Sequence, residues 1–119
     1  ACHALDEVDF VAIHVEAPDE AGHNGDPRAK KLAVERIDRQ IVAPVVEKLK
    51  QFNSWRILVM PDHPTPVAVR SHTADPVPFV IAGFQVASNG GDRFTERQAC
   101  EIGLRIDPGW HLMKYFLGT

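Results

Sequence analysis

Carboxylate and imidazole side chains recur in three segments of the chain, and they are the ligand types of a catalytic metal site. The first segment contains Asp19 and His23, the second the adjacent pair Asp62 and His63, and the third His72. A spacing of four residues lets the first pair meet on one helical turn or in a tight loop. Mixed oxygen and nitrogen ligands favour a borderline cation over calcium, which prefers oxygen alone. The segments therefore predict a zinc or manganese site.

Each segment by itself also has an ordinary interpretation that involves no metal ion. An Asp-x-x-x-His spacing is common by chance, Asp62 could cap a turn beside a surface histidine, and His72 could be buried against a carbonyl group. The convergence of three loops, each beside an apolar run, shifts the balance towards a shared site. Five candidate side chains exceed the three that a single catalytic zinc takes, yet do not fill two coordination shells. We therefore expect two ions, an arrangement with a spacing of about 4 Å that serves phosphoryl transfer.

Composition limits the other classes of function. The chain has 119 residues and a net charge of -3 without a basic stripe, which predicts one domain and argues against a nucleic-acid partner. Two cysteines in no C-x-x-C pattern indicate a reducing, cytoplasmic setting. Since no apolar run approaches the roughly 20 residues of a membrane span, we expect no membrane partner. Ala1 is not an initiator methionine, and residues 1–8 are typical of the end of a helix that begins earlier.

Apolar periodicity predicts alternating strands and helices. A strand at 9–15 leads into an ordered loop at 16–26, and a helix capped by Asp26 runs from Pro27 to about Phe52, with a kink or break at Pro44. The remaining predicted elements are strands at 55–60 and 77–81, a short helix capped by Thr95, and a final helix at 108–117. This order predicts an α/β protein with a mainly parallel sheet, whose ligand loops gather at the carboxyl ends of the strands.

The same segments, taken in order, resemble the carboxyl-terminal part of the cofactor-independent phosphoglycerate mutases of the archaeal type, members of the alkaline phosphatase superfamily. The resemblance rests on Glu16–Asp26, Pro61–Pro66 and His72–Phe79, and it extends to Gly109–Phe116. It implies a three-layer α/β fold, flanked by helices and incomplete in this chain. Residues 1–119 would form the carboxyl-terminal part of the metal-binding domain, with the amino-terminal part and an inserted substrate domain absent.

The resemblance also implies a ligand set and a reaction. Asp19, His23 and His72 would hold one ion, and Asp62 with His63 would hold the other. Manganese or zinc is expected, with magnesium or cobalt as alternatives. The full enzyme of the family interconverts 3-phosphoglycerate and 2-phosphoglycerate, in glycolysis and gluconeogenesis, through a phosphoserine intermediate.

The nucleophilic serine of that reaction is expected upstream of this chain. The serines at positions 54, 71 and 88 lack the family's nucleophile context, so we assign no catalytic residue and expect the chain alone to be inactive. Arg70 is close enough in the sequence to the third segment to meet a phosphate, although such arginines are more often solvated or paired. Two alternatives remain open: another phosphatase or phosphotransferase of the superfamily, and a non-catalytic metal-binding domain. The sequence does not determine the oligomeric state.

Overall fold

The computed structural model describes residues 1–118, which form two compact units. The first unit contains residues 1–53 and 63–75, and the second contains residues 54–62 and those from 76 onward. The helices of the first unit are α1 (Ala17–His23), α2 (Pro27–Ile37) and α3 (Ala43–Leu49). The second unit contains strands β1 (Arg56–Val59) and β2 (Val80–Gly83) with helices α4 (Glu96–Ile102) and α5 (His111–Leu117).

Helix α1 occupies part of the segment for which we predicted a loop, so that prediction was wrong. Two of the residues that favour a loop, Pro18 and Gly22, lie where a helix accepts them. Pro18 lies in the first turn, where a missing backbone N–H breaks no helical hydrogen bond. Gly22 is buried in the last turn, where Thr65 approaches the helix too closely for a larger residue. Residues about 45 positions apart therefore decide a local structure that the residues of 16–26 alone do not.

The predicted start and break of the next helix are confirmed. The Asp26 carboxylate accepts hydrogen bonds from the backbone N–H groups of Arg28 and Ala29 at 3.0 and 2.9 Å. Directly before Pro44, residues 38–42 form a π-helical turn, in which the N–H of Ala43 donates to the carbonyl of Asp38, five residues back. Because proline has no N–H and its ring crowds the carbonyl four residues earlier, the wider turn relieves the helix at this point.

The sheet of the second unit differs in direction from our prediction. Strands β1 and β2 pair antiparallel, with Arg56 opposite Gly83 and Val59 opposite Val80. Parallel neighbours need a crossover connection, which is usually a helix. Residues 60–79 contain no helix and return the chain in the opposite direction. The pair is therefore antiparallel, whereas we expected a mainly parallel sheet.

The predicted cap of α4 is confirmed, since the Thr95 hydroxyl accepts from the N–H of Gln98 at 3.2 Å.

The predicted central strand at 9–15 is not formed within residues 1–118. A strand needs a neighbour for its backbone N–H and C=O groups, and no segment of the described chain pairs with this one. Phe10 and Ile13 are 53% and 44% exposed, unlike the residues of a strand covered on both faces.

Among residues 1–118, the buried apolar side chains are Ala21 and Leu49 in the first unit, and Leu112 and Phe116 in the second. Among the described residues, no helix has the length and apolar character needed to cross a membrane.

Candidate metal centre

The Asp19 carboxylate and the imidazoles of His23 and His72 lie together in the first unit. One turn of α1 separates the first two, so that Asp19 Oδ2 is 3.4 Å from His23 Nε2. His72 Nε2 lies 3.3 Å from Asp19 Oδ1 and 3.1 Å from His23 Nε2. One ligand atom from each of the three residues lies within 4.8 Å of the other two. The structure thus brings together the three residues that the resemblance assigned to one ion.

A tight turn brings the third segment to this cluster. The N–H of Arg70 donates to the carbonyl of Pro66 at 2.9 Å, and the N–H of Thr73 donates to the carbonyl of Pro64 at 3.1 Å. These bonds fold residues 64–73 back on themselves, and the rings of His63 and His72 therefore lie against each other, with centroids 3.7 Å apart. The turn explains how two histidines nine positions apart share one side of the site.

The backbone of Arg70 orients one of the imidazoles. His23 Nδ1 lies 3.1 Å from the Arg70 carbonyl oxygen. Because a carbonyl can only accept, Nδ1 carries the proton of this contact, and Nε2 is the ring nitrogen that faces Asp19 and His72. Arg70 has a φ of 57°, a left-handed conformation that is uncommon for a residue with a side chain. No sequence pattern indicates this backbone contact, since nothing in an arginine marks its carbonyl as a partner.

The Arg70 side chain lies beside Gly25. A Cβ built on Gly25 would be 2.9 Å from the Nη2 atom of the guanidinium group, so the arginine occupies the space that a larger residue would take. Gly25 also has a φ of 67°, which glycine adopts without strain. The phosphate contact that we predicted for Arg70 remains a prediction.

Thr65 is a second contact residue that the sequence reasoning missed. Its hydroxyl donates to Asp19 Oδ1, and Thr65 is only 4% exposed. This hydrogen bond is the main cause that holds the pKa of Asp19 below its ordinary value; the nearby imidazoles of His23, His72 and His63 lower it further, against the opposing effect of burial. The carboxylate is therefore ionised, as a metal ligand must be. A threonine between two prolines is typical of a turn, so the sequence pattern did not indicate a contact with Asp19.

The two residues of the second predicted ligand pair, Asp62 and His63, belong to different units. His63 Nδ1 lies 4.0 Å from Asp19 Oδ1, so the imidazole borders the cluster. Asp62 is exposed at the end of segment 54–62 of the second unit. Of the five predicted ligands, the structure thus places four side by side in the first unit.

The donor set fits a divalent cation. One carboxylate oxygen and two imidazole nitrogens are the three protein ligands that catalytic zinc sites use, with a further position left for water or substrate. The side chains of Asp19, His23 and His72 are 33%, 43% and 50% exposed, so the cluster is open on one side. The arrangement is suited to hold an ion that also meets a small anionic ligand.

Comparison with known families identifies the class of protein to which this centre belongs. Residues 1–106 match the Metalloenzyme superfamily, and the chain is therefore a member of that superfamily.

Individual relatives narrow the class. The chain is 43% identical over 118 residues to the 2,3-bisphosphoglycerate-independent phosphoglycerate mutase of Methanothrix thermoacetophila, and 42% identical over 118 residues to a probable enzyme of the same name from Geobacter sulfurreducens. Each match covers 98% of this chain and 30% of the relative, so the chain spans about a third of the length of these proteins. The resemblance seen in the sequence is confirmed.

A solved structure confirms the fold class. The PH0037 protein from Pyrococcus horikoshii matches with a TM-score of 0.77 and 36% identity, over 85% of this chain and 30% of that one. Together with the superfamily match, this likeness supports an incomplete α/β fold of the alkaline phosphatase type.

Proposed function

We propose that this chain forms part of the active site of a two-metal phosphoglycerate mutase, which interconverts 3-phosphoglycerate and 2-phosphoglycerate. The proposal is supported by relatives that carry this name and match 98% of the chain. The observation that carries it is the convergence of Asp19, His23 and His72 within one cluster of ligand atoms. The serine that would form the phosphoserine intermediate is assigned to no residue of this chain.

Within this proposal, Asp19, His23 and His72 hold one manganese or zinc ion, while His63 and Asp62 contribute to the second. The ions supply positive charge that positions the phosphate and offsets charge in the transition state. The ligand side chains of this chain hold the ions in place. Asp19 contributes an ionised carboxylate, since the Thr65 hydrogen bond favours that form. Arg70 is the candidate for direct contact with the phosphate.

The proposed enzyme works in glycolysis and gluconeogenesis, in the cytoplasm. Support for the location comes from the sequence, since Cys2 and Cys100 match no C-x-x-C pattern and two cysteines are too few to staple a secreted scaffold.

Metal removal from the intact enzyme that carries this chain tests the proposal. Conversion of 3-phosphoglycerate is followed by coupling 2-phosphoglycerate to enolase. Dialysis against a chelator should abolish turnover, because the ligands alone cannot position the phosphate, and manganese or zinc should restore it. Elemental analysis before and after dialysis reports the number of ions bound.

Three results would contradict the proposal. Full turnover in protein verified as metal-free would refute the role of the centre. Hydrolysis of other phosphate esters without mutase turnover would indicate a different enzyme of the superfamily. Stoichiometric metal without activity on any phosphate ester would indicate a non-catalytic domain.

A further inference from the structure

Thr65 lies between the ligands that the proposed function assigns to two different ions. Its hydroxyl donates to Asp19 Oδ1, and the same oxygen is 3.3 Å from His63 Nδ1. Asp19 belongs to the first proposed ligand set and His63 to the second. One buried hydroxyl group therefore contacts both sets.

The protons of this contact can be assigned from the number of donors. A threonine hydroxyl has one proton, and an ionised carboxylate can only accept. The proton of Thr65 is thus directed to Asp19, and the Thr65 oxygen must accept from His63. Consequently His63 carries its proton on Nδ1, and Nε2 retains the lone pair that a metal ion requires.

Thr65 is itself fixed by the two helices of the site. Lys30 of α2 donates from Nζ to the Thr65 carbonyl oxygen at 2.5 Å. On the α1 side, a Cβ built on Gly22 would lie 2.5 Å from the same oxygen and 2.9 Å from the Thr65 methyl carbon. Thr65 therefore packs directly against the backbone of α1, and neither its hydroxyl nor its carbonyl is free to turn away.

We propose that Thr65 is a positioning residue, which holds the Asp19 carboxylate and the His63 imidazole in their ligating orientations and so links the two metal subsites. The inference rests on the proposed function, because it assumes that these residues bind metal. Partners that orient metal ligands in this way commonly change metal affinity or activity 10- to 100-fold when they are replaced. Threonine is needed for its hydroxyl, since valine would fill the same volume.

The test measures manganese binding to the intact protein by calorimetry. We expect Thr65→Val to lower the affinity by about 10- to 100-fold. Thr65→Ser retains the hydroxyl and should recover most of that loss. The matched control is Thr73→Val, because the Thr73 hydroxyl is buried and has no hydrogen-bond partner within residues 1–118. That variant should bind manganese as tightly as the wild type.

The outcomes separate the inference from the proposed function. If the wild type binds neither manganese nor zinc, the proposed metal centre fails. If the wild type binds and Thr65→Val binds equally tightly, the positioning role alone is refuted. An equal loss in Thr65→Ser and Thr65→Val would show that retaining the hydroxyl does not preserve the affinity, and it would also refute the positioning role.

A second measurement does not depend on the folding of any variant. Nitrogen-15 NMR of the zinc-loaded wild type reports which ring nitrogen of His63 carries the proton. The inference requires the proton on Nδ1. A proton on Nε2 would overturn it.

Discussion

The two units use polar side chains for different purposes. In the first unit, the hydroxyl of Thr65 donates to the Asp19 carboxylate, which stays 33% exposed and accessible to a metal ion. In the second unit, Arg56 donates to the backbone carbonyls of Phe84 and Phe116 at 2.9 and 2.7 Å, and it thereby ties β1 to the chain beyond β2 and to the end of α5. The first kind of contact orients a donor atom, whereas the second holds backbone segments together.

This contrast predicts which quantity each substitution changes. Replacement of a residue that orients a ligand should change metal affinity more than stability, because the ligands are partly exposed and contribute little packing. Replacement of a residue that joins backbone segments should change stability and leave metal affinity alone. The three substitutions below test this division.

His72→Ala should produce the largest effect. It removes one of three clustered candidate ligands, so manganese affinity and the proposed mutase turnover of the intact protein should fall by more than about 100-fold, beyond the effect of an indirect partner. The side chain is 50% exposed, and the free energy of unfolding of the metal-free protein should therefore change by less than about 0.5 kcal/mol. Calorimetry, the enolase-coupled assay and urea denaturation measure the three quantities.

The control for this prediction is His111→Ala, which removes an exposed histidine from the start of α5. Affinity and turnover should match the wild type. If His72→Ala instead lowered only stability and left metal affinity intact, the histidine would have a structural role and the comparison between the units would fail.

Gly22→Ala should have the next largest effect, because it disturbs both stability and ligand orientation. The new Cβ would lie 2.5 Å from a backbone oxygen, which has to move. We expect a loss of about 1–3 kcal/mol in the free energy of unfolding, as overpacked sites show, even though alanine favours a helix by about 1 kcal/mol. Metal affinity should also fall, since Thr65 is displaced. Urea denaturation and calorimetry provide the two measurements.

Gly109→Ala in the second unit is the matched control. A Cβ at that position meets nothing within 4 Å, so the same substitution should change stability by less than about 0.5 kcal/mol. Equal stability of Gly22→Ala and the wild type would show that Thr65 is not held against α1.

Arg56→Met should have the smallest of the three effects. It removes two hydrogen bonds to carbonyl groups, which should lower the free energy of unfolding by about 1–2 kcal/mol. Manganese affinity should stay at the wild-type value, since the contacts lie within the second unit. Arg105→Met serves as the control: its ion pair with Asp107 is highly exposed, and such pairs contribute at most about 1 kcal/mol. A loss of metal affinity in Arg56→Met would contradict the division.

Features that depend on a few neighbouring residues could be predicted from the sequence. The caps at Asp26 and Thr95 and the disturbance before Pro44 follow from local hydrogen bonding and proline geometry, and the structure confirms all three. The ordered motifs also identified the family, because three matches in sequence order are far more specific than one spacing. The strand predicted at 9–15 failed because a strand depends on a partner elsewhere in the protein.

The sequence by itself determined the family, the helix caps and the ligand types of the candidate centre. Only the tertiary structure decided how those ligands are held. The Thr65–Asp19 and Arg70–His23 contacts join residues 46 and 47 positions apart, and no local pattern encodes them. Nor does a residue's type tell whether its side chain or its backbone will be used. The physical reason is that orientation arises from hydrogen bonds between distant segments, which exist only once the chain has folded.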